Sequence, residues 1–132
     1  MDAARAQLVR QRAADRCEYC HLPQRLSSLR FHVEHIVARQ HGGSDASEKL
    51  ALACPECNRR KGTNLTGLDP DTRRVVRLFH PRQDLWPGHF RSDGPRILGH
   101  TEVGRTTVWL LAMNAGPRLR WRDLLHRLGD WP

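Results

Sequence analysis

The chain has 132 residues, one domain's worth or a compact core with an elaboration, and its 22 Lys and Arg against 14 Asp and Glu give a formal net charge of +8. Lys49 and Lys61 are the two lysines, so the basic side is nearly all arginine; this favours a polyanionic partner held by bidentate phosphate contacts. No apolar run approaches the ~20 residues that span a bilayer, and the opening MDAARAQLVRQR lacks the apolar centre of a signal peptide, so a membrane partner is excluded and a cytoplasmic location is expected.

Residues 3–14 are rich in Ala, Gln and Arg with Leu8 and Val9 as the larger apolar groups, which predicts a short helix with Asp2 as N-cap. Its arginines and the next one (Arg5, Arg10, Arg12, Arg16) either reach phosphate or form a solvated face. Arg30 to Val37 has strand character from Phe31, Val33, Ile36 and Val37. Ideal alternation sends Glu34 and His35 to opposite faces, so both serve one site only if the strand ends or twists there, as Gly42-Gly43 soon afterwards suggests. Ala51 to Ala53 reads as a second strand. Pro55 suits the first turn of a helix over 55–61 that Gly62 stops.

Beyond Gly62, Asn64 to Asp71 reads as a turn-rich connector. Strands are expected at Val75-Val76 and Leu78-Phe79 and, after the Asp93-Gly94-Pro95 turn, at Arg96-Ile97-Leu98. His80, His89 and Trp86 are expected as packed or surface residues. Thr101 can cap a helix with Val103, Thr107, Leu110 and Leu111 on its apolar spacing, ending at Asn114-Ala115-Gly116-Pro117. A last helix over about 118–128 sets Trp121, Leu124, Leu125 and Leu128 in one stripe for core or partner packing. Arg118, Arg120, Arg122 and Arg127 lie off that stripe, facing solvent or DNA.

The chain's four cysteines form two C-x2-C pairs, Cys17/Cys20 and Cys54/Cys57. Their count and spacing suit four thiolates on one tetrahedral Zn²⁺ that pins two distant segments together. The alternatives are two disulfides, which a reducing compartment disfavours, or free buried thiols. A four-thiolate ion has no open position for substrate, so this zinc is structural and chemistry lies elsewhere.

Between the pairs stand Glu34-His35, a polar Gly-rich turn (Gln40 to Asp45) and the apolar run Leu50 to Ala53; the second pair continues as CPECNRRKGTN. This arrangement over 17–64 resembles the HNH endonuclease family. The resemblance implies an α+β fold, a small ββα-metal core stapled by the four-cysteine zinc site, in which a β-hairpin with a long loop and a helix hold one catalytic divalent ion. Carried over by position, Glu34 and Asn58 are the ligands of that ion, Mg²⁺ or Mn²⁺, His35 is the general base, and Lys61 completes the C-N-x2-K tail. Glu34 is one methylene longer than the aspartate commoner in the family and keeps hard oxygen donors. Lys49 stands where the family has the central asparagine that braces the loop behind the base. A lysine has donors and no acceptor, so another residue is expected to hold that loop.

The expected organisation is a nuclease core with its zinc site over 1–66 and, over 67–132, an extension of short strands and two helices packed on the core. LFHPRQDLWPGHF is similar to an extension in a bacterial branch of the family and names no catalytic residue. The reading that follows is a metal-dependent DNA endonuclease, with Arg39, Arg59, Arg60 and Lys61 as candidate phosphate clamps. A second class is a non-catalytic zinc-stabilised module that binds nucleic acid, supported by Lys49 and by glutamate at 34. A zinc oxidoreductase fits poorly, because each C-x2-C pair has a partner and no βαβ pattern surrounds either.

Overall fold

Asp2 starts the first helix as its sequence predicts. In the computed structural model, which describes residues 2–131, its carboxylate accepts the Arg5 amide at 2.8 Å, and α1 runs Ala3–Arg12; such a cap is worth about 1 kcal/mol. Left-handed Ala14 and Asp15 then turn the chain back toward the first cysteine pair. Strand β1 (His32–His35) pairs antiparallel with β2 (Leu50–Ala53), His32 opposite Ala53 and His35 opposite Leu50. All four residues of β2 are buried, because α1 lies against this strand and α2 (Pro55–Lys61) packs on both strands of the hairpin. Pro55 begins α2 and Gly62, at positive φ, ends it.

These elements belong to one of two compact units, Met1–Asn64 with His80–Gln83. Arg12 fastens α1 to the hairpin, Nη2 donating to the carbonyls of Ser47 and Leu50 at 2.9 Å each. The 80–83 segment is held by an Arg82–Glu18 ion pair, and Glu18 also accepts the Leu52 amide at 2.8 Å.

The second unit comprises Leu65–Phe79 and Asp84–Pro132. It contains two antiparallel hairpins, β3 (Thr66–Leu68) with β4 (Val75–Arg77) and β5 (Phe90–Asp93) with β6 (Arg96–Gly99), then α3 (Glu102–Leu110) and α4 (Gly116–Arg127). Its core includes Phe79, Phe90, Ile97, Leu111, Met113 and Leu125, with Phe79 edge-on to Phe90 at 5.0 Å. Thr101 caps α3, its hydroxyl accepting the Gly104 amide at 3.0 Å. Gly104 is a close-approach glycine: a Cβ there would meet the His89 carbonyl oxygen at 2.0 Å. The fold is therefore α+β, with small antiparallel sheets and four α-helices among the described residues, and no helix among them is long and apolar enough to cross a membrane.

Three expectations change. Strand β3 occupies the stretch read as a connector, because Leu65 and Gly67 join a ladder closed by the Leu78 amide on the Leu65 carbonyl at 3.1 Å. Strand β5 falls in a run whose Trp, Pro and Gly hide its period. The stripe on α4 is split: Leu125 is buried, with Arg118 and Arg122, whereas Trp121, Leu124 and Leu128 are exposed. Neither Arg118 nor Arg122 faces solvent or DNA. Arg118 donates to the carbonyls of Leu111 and Ala112. Arg122 donates to the Met113 carbonyl between α3 and α4, which has no helical partner, to the Pro95 carbonyl in the β5–β6 turn and to the Asn114 side chain.

Asp69 is the acid at the centre of this unit. Fully buried, it accepts from Arg105 Nε at 3.1 Å and Nη2 at 2.8 Å, from the Asp71 amide at 3.0 Å and from Thr72 Oγ1 at 3.1 Å. The Arg105 guanidinium, and then the Asp71 amide and Thr72 hydroxyl, hold its carboxyl far below the usual carboxylate range. A depressed carboxylate contributes stability that is present above the unfolded-state pKa of about 3.9 and is lost as pH falls toward the folded-state value. Asp69→Asn is therefore expected to lower the melting temperature at neutral pH, with the gap to the parent chain narrowing as pH drops below about 4. Parallel thermal scans across that range measure it; a constant gap would count against the assignment.

Candidate active site and metal cluster

The four cysteines converge. Their Sγ atoms all lie within 4.8 Å of one another and all are buried, with Cys20 and Cys54 Sγ 3.7 Å apart; four bonds of about 2.3 Å to one tetrahedral ion imply edges of about 3.8 Å. The two pairs repeat one local geometry. The Cys20 amide points to Cys17 Sγ at 3.5 Å and the Cys57 amide to Cys54 Sγ at 3.4 Å, the latter also capping α2. Burial pushes the Cys17 and Cys57 thiols well up, so their thiolates need a cation, and no disulfide joins the pairs. An all-sulfur donor set of this size fits Zn²⁺ and leaves it closed to substrate.

Glu34 and His35 sit at the end of β1, and alternation does separate them. Glu34 turns inward, its carboxylate accepting the Tyr19 hydroxyl and Lys61 Nζ, the latter at 3.2 Å. Burial pushes the Glu34 carboxyl up, while the Lys61 ammonium and the Tyr19 hydrogen bond act in the other direction. Lys61 is itself only 2 % exposed, and Nζ also donates to the Ile36 carbonyl at 2.9 Å. The expected phosphate clamp at Lys61 is thus corrected: its ammonium fastens α2 to the end of β1 and does not reach solvent.

His35 turns the other way. Its Nε2 lies 2.6 Å from Asp45 Oδ1, and Arg39 Nη2 meets the same carboxylate at 2.8 and 3.0 Å. The His35 hydrogen bond, followed by the Arg39 guanidinium, holds the Asp45 carboxyl below its ordinary value. With an ionised carboxylate at Nε2, the tautomer assigned from this hydrogen bond carries its proton there and leaves the Nδ1 lone pair as acceptor. The loop between is pinched shut at Gly43, where a Cβ would meet the Val37 carbonyl oxygen at 1.7 Å, and at its base by the Ile36 amide on the Lys49 carbonyl at 3.0 Å. At the central-asparagine position it is the Lys49 backbone that ties the loop, and Asp45 that braces the imidazole.

Asn58 lies half-buried on α2, one turn before Lys61 and so on the same helix side. Glu34 and Asn58 together offer carboxylate and amide oxygens, a donor set that suits a hard divalent ion. Each Glu34 oxygen retains a lone pair beyond its present hydrogen bond, and the Lys61 ammonium is the competing cation. Arg59 and Arg60 are exposed on α2 and pair with Glu56 at 2.8 and 3.4 Å; Arg39 is exposed beside Asp45. The sequence reading missed Asp45 and Tyr19: the first stands in a Gly-rich turn, the second between two cysteines, and neither position carries a spacing signal.

Two outcomes are expected here. Stripping metal with a strong chelator, or Cys17→Ser, should unfold the first unit, as circular dichroism with metal analysis would register, because metal binding supplies folding free energy that a small core lacks. A folded, reduced and metal-free protein would contradict it. Lys61→Met should cost roughly 3–5 kcal/mol in urea unfolding by leaving a buried carboxylate without its cation, and adding Glu34→Gln should recover part of that loss.

No curated protein and no solved structure matches the chain. Residues 17–64, the segment that holds both cysteine pairs, the β1–β2 hairpin and α2, match the family model described as HNH endonuclease, a family of nucleases.

Proposed function

We propose that the chain is a DNA endonuclease that hydrolyses phosphodiester bonds, with His35 as general base. The observation that carries the reading is the Arg39–Asp45–His35 series at the end of β1, inside the segment that matches the HNH endonuclease family. A proton acceptor has to be held in one orientation to be useful. Asp45 fixes Nε2, so Nδ1 takes the proton from a water whose oxygen forms the new bond to phosphorus as the bond to the 3′-oxygen breaks. Asp45 then stabilises the imidazolium by charge, and Arg39 keeps Asp45 ionised.

A divalent ion, Mg²⁺ or Mn²⁺, held by Glu34 and Asn58 would neutralise charge developing on the phosphate and leaving oxygen. Tyr19 and Lys61 hold the Glu34 carboxylate against β1 and α2, and the zinc held by Cys17, Cys20, Cys54 and Cys57 fixes α2 to the hairpin. Arg39, Arg59 and Arg60 are the exposed groups for neighbouring phosphates. In this reading residues 1–66 form the nuclease core of a cytoplasmic enzyme and 67–132 its extension. The engagement of both Glu34 oxygens by Tyr19 and Lys61 favours one rival, a non-catalytic zinc-stabilised module that binds nucleic acid.

His35→Ala is expected to lower cleavage of supercoiled plasmid in Mg²⁺ or Mn²⁺ by roughly two to four orders of magnitude while duplex binding persists. Asp45→Asn, which removes charge from a positioning residue, should lower it about a hundredfold without changing metal dependence. Glu34→Ala and Asn58→Ala should recover partly at raised metal concentration, and His35→Ala should not. A parent chain that cuts no DNA with Mg²⁺, Mn²⁺, Ni²⁺ or Co²⁺ leaves the binding module as the reading.

A further inference from the structure

An open cleft of about 590 Å³ lies on the first unit between α1 and the loop that leads into β1, and none of the residues lining it is among those assigned to cleavage. Two guanidiniums face it, Arg10 from α1 and Arg30 from the loop. They are close enough that Arg30, after partial burial, holds Arg10 below its usual value, with Asp15 acting in the opposite direction. Asp15 is the one acid of the lining, so two fixed positive charges face a single carboxylate.

Neighbouring arginines serve the protein itself. Arg12 is tied to the Ser47 and Leu50 carbonyls and Arg16 to the His21 carbonyl at 3.1 Å; among the described residues Arg10 and Arg30 make no such hydrogen bond. Two like charges that share one carboxylate leave a net positive charge that an external anion relieves.

The loop that presents Arg30 is fixed in advance. Gln24 Nε2 donates to the Leu29 carbonyl at 3.0 Å, Gln24 Oε1 accepts the Phe31 amide at 2.7 Å, and Ser27 Oγ donates to the Leu29 carbonyl at 3.0 Å. The backbone on both sides of Arg30 is therefore held before any ligand arrives, which lowers the ordering cost of binding. Gln7 and Gln11, one turn apart on α1, and Ser28 add neutral donors to the lining. A tetrahedral oxyanion is the ligand that such a set recognises: two guanidiniums for charge, amides and a hydroxyl for the remaining oxygens.

We propose that this cleft binds a backbone phosphate of the DNA substrate outside the reacting phosphodiester, with Arg10 and Arg30 as its charged contacts. The assignment rests on the nuclease reading for the identity of the polyanion. Both arginines lie on the surface of the first unit, so Arg10→Gln and Arg30→Gln should fold, which far-UV circular dichroism and zinc content check.

The test is anisotropy of a labelled duplex with the full zinc-loaded chain over a salt series without added catalytic ion. The double variant should bind about tenfold more weakly at low salt, and its log–log salt slope should fall by roughly one to two, the signature of one or two lost phosphate contacts. Arg91→Gln removes one such charge from an exposed position outside the cleft and should change affinity less than about twofold. A double variant indistinguishable from Arg91→Gln in affinity and slope overturns the proposal. Inorganic phosphate, followed by amide chemical shifts, forms the second arm: if the double variant loses phosphate yet binds duplex normally, the cleft takes a free anion and the assignment to DNA falls. Cleavage is scored separately. A chain that cuts nothing but loses duplex affinity on the double substitution keeps the cleft and sinks the nuclease reading, whereas unchanged cutting and unchanged affinity sink the cleft alone.

Discussion

Four buried thiols decide what the first unit can be. Cys17 and Cys20 sit in a turn just after α1, Cys54 caps α2, and Cys57 lies one turn into it, so one ion on these sulfurs fixes the start of α2 against the chain that precedes β1. The Glu34 side of the candidate active site hangs from that helix. Lys61 reaches the Glu34 carboxylate and the Ile36 carbonyl only because α2 starts where Cys54 puts it, and Tyr19 meets Glu34 from the turn that carries the other pair. A hairpin of two four-residue strands buries too little apolar surface to hold these distances alone. Metal–sulfur bonds at these four thiols would add to the small core of Val9, Tyr19, Phe31, Leu50 and Leu52.

The charge balance of the chain has to be read residue by residue. A net +8 points to a polyanion, yet much of the arginine is committed internally. Arg118 and Arg122 satisfy carbonyls between α3 and α4, Arg105 neutralises buried Asp69, Arg82 pairs with Glu18, and Arg12 ties α1 to the hairpin. A guanidinium suits this work because its five donors in a fixed plane can serve several acceptors at once. The arginines at the surface of the first unit include Arg10 and Arg30 at the cleft and Arg39, Arg59 and Arg60 around the site.

Much of the first unit was legible in the sequence because its signals are local or arithmetic. The Asp2 cap, Pro55 at the start of α2 and Gly62 at its end each act on the backbone next to them, and the two C-x2-C pairs need only their count and spacing. Asp45 was not legible, since its role depends on how a loop closes over a strand end, and that closure rests on a glycine whose missing Cβ leaves room for the Val37 carbonyl. The stripe on α4 failed for a related reason. Period alone grouped Trp121, Leu124, Leu125 and Leu128 as one stripe for core or partner packing, but the carbonyls of Leu111 and Met113 are met by arginines, and that set Arg118 and Arg122 beside Leu125 on the inner face. The need for hydrogen bonds outweighed the apolar count.

The opposite facing of Glu34 and His35 is a consequence of strand geometry with a chemical use. Successive side chains on β1 point to different sides, so the carboxylate goes to the dry side, among Tyr19, Lys61 and α2, while the imidazole goes to the loop, beside Asp45 and Arg39. Here the acid that meets His35 comes from the loop and touches Nε2, while the acid next to it in sequence meets the Lys61 ammonium. Adjacent residues can serve separate roles because β1 ends immediately after His35. Beyond that point the chain leaves the ladder, and the loop that brings Asp45 back has room to form.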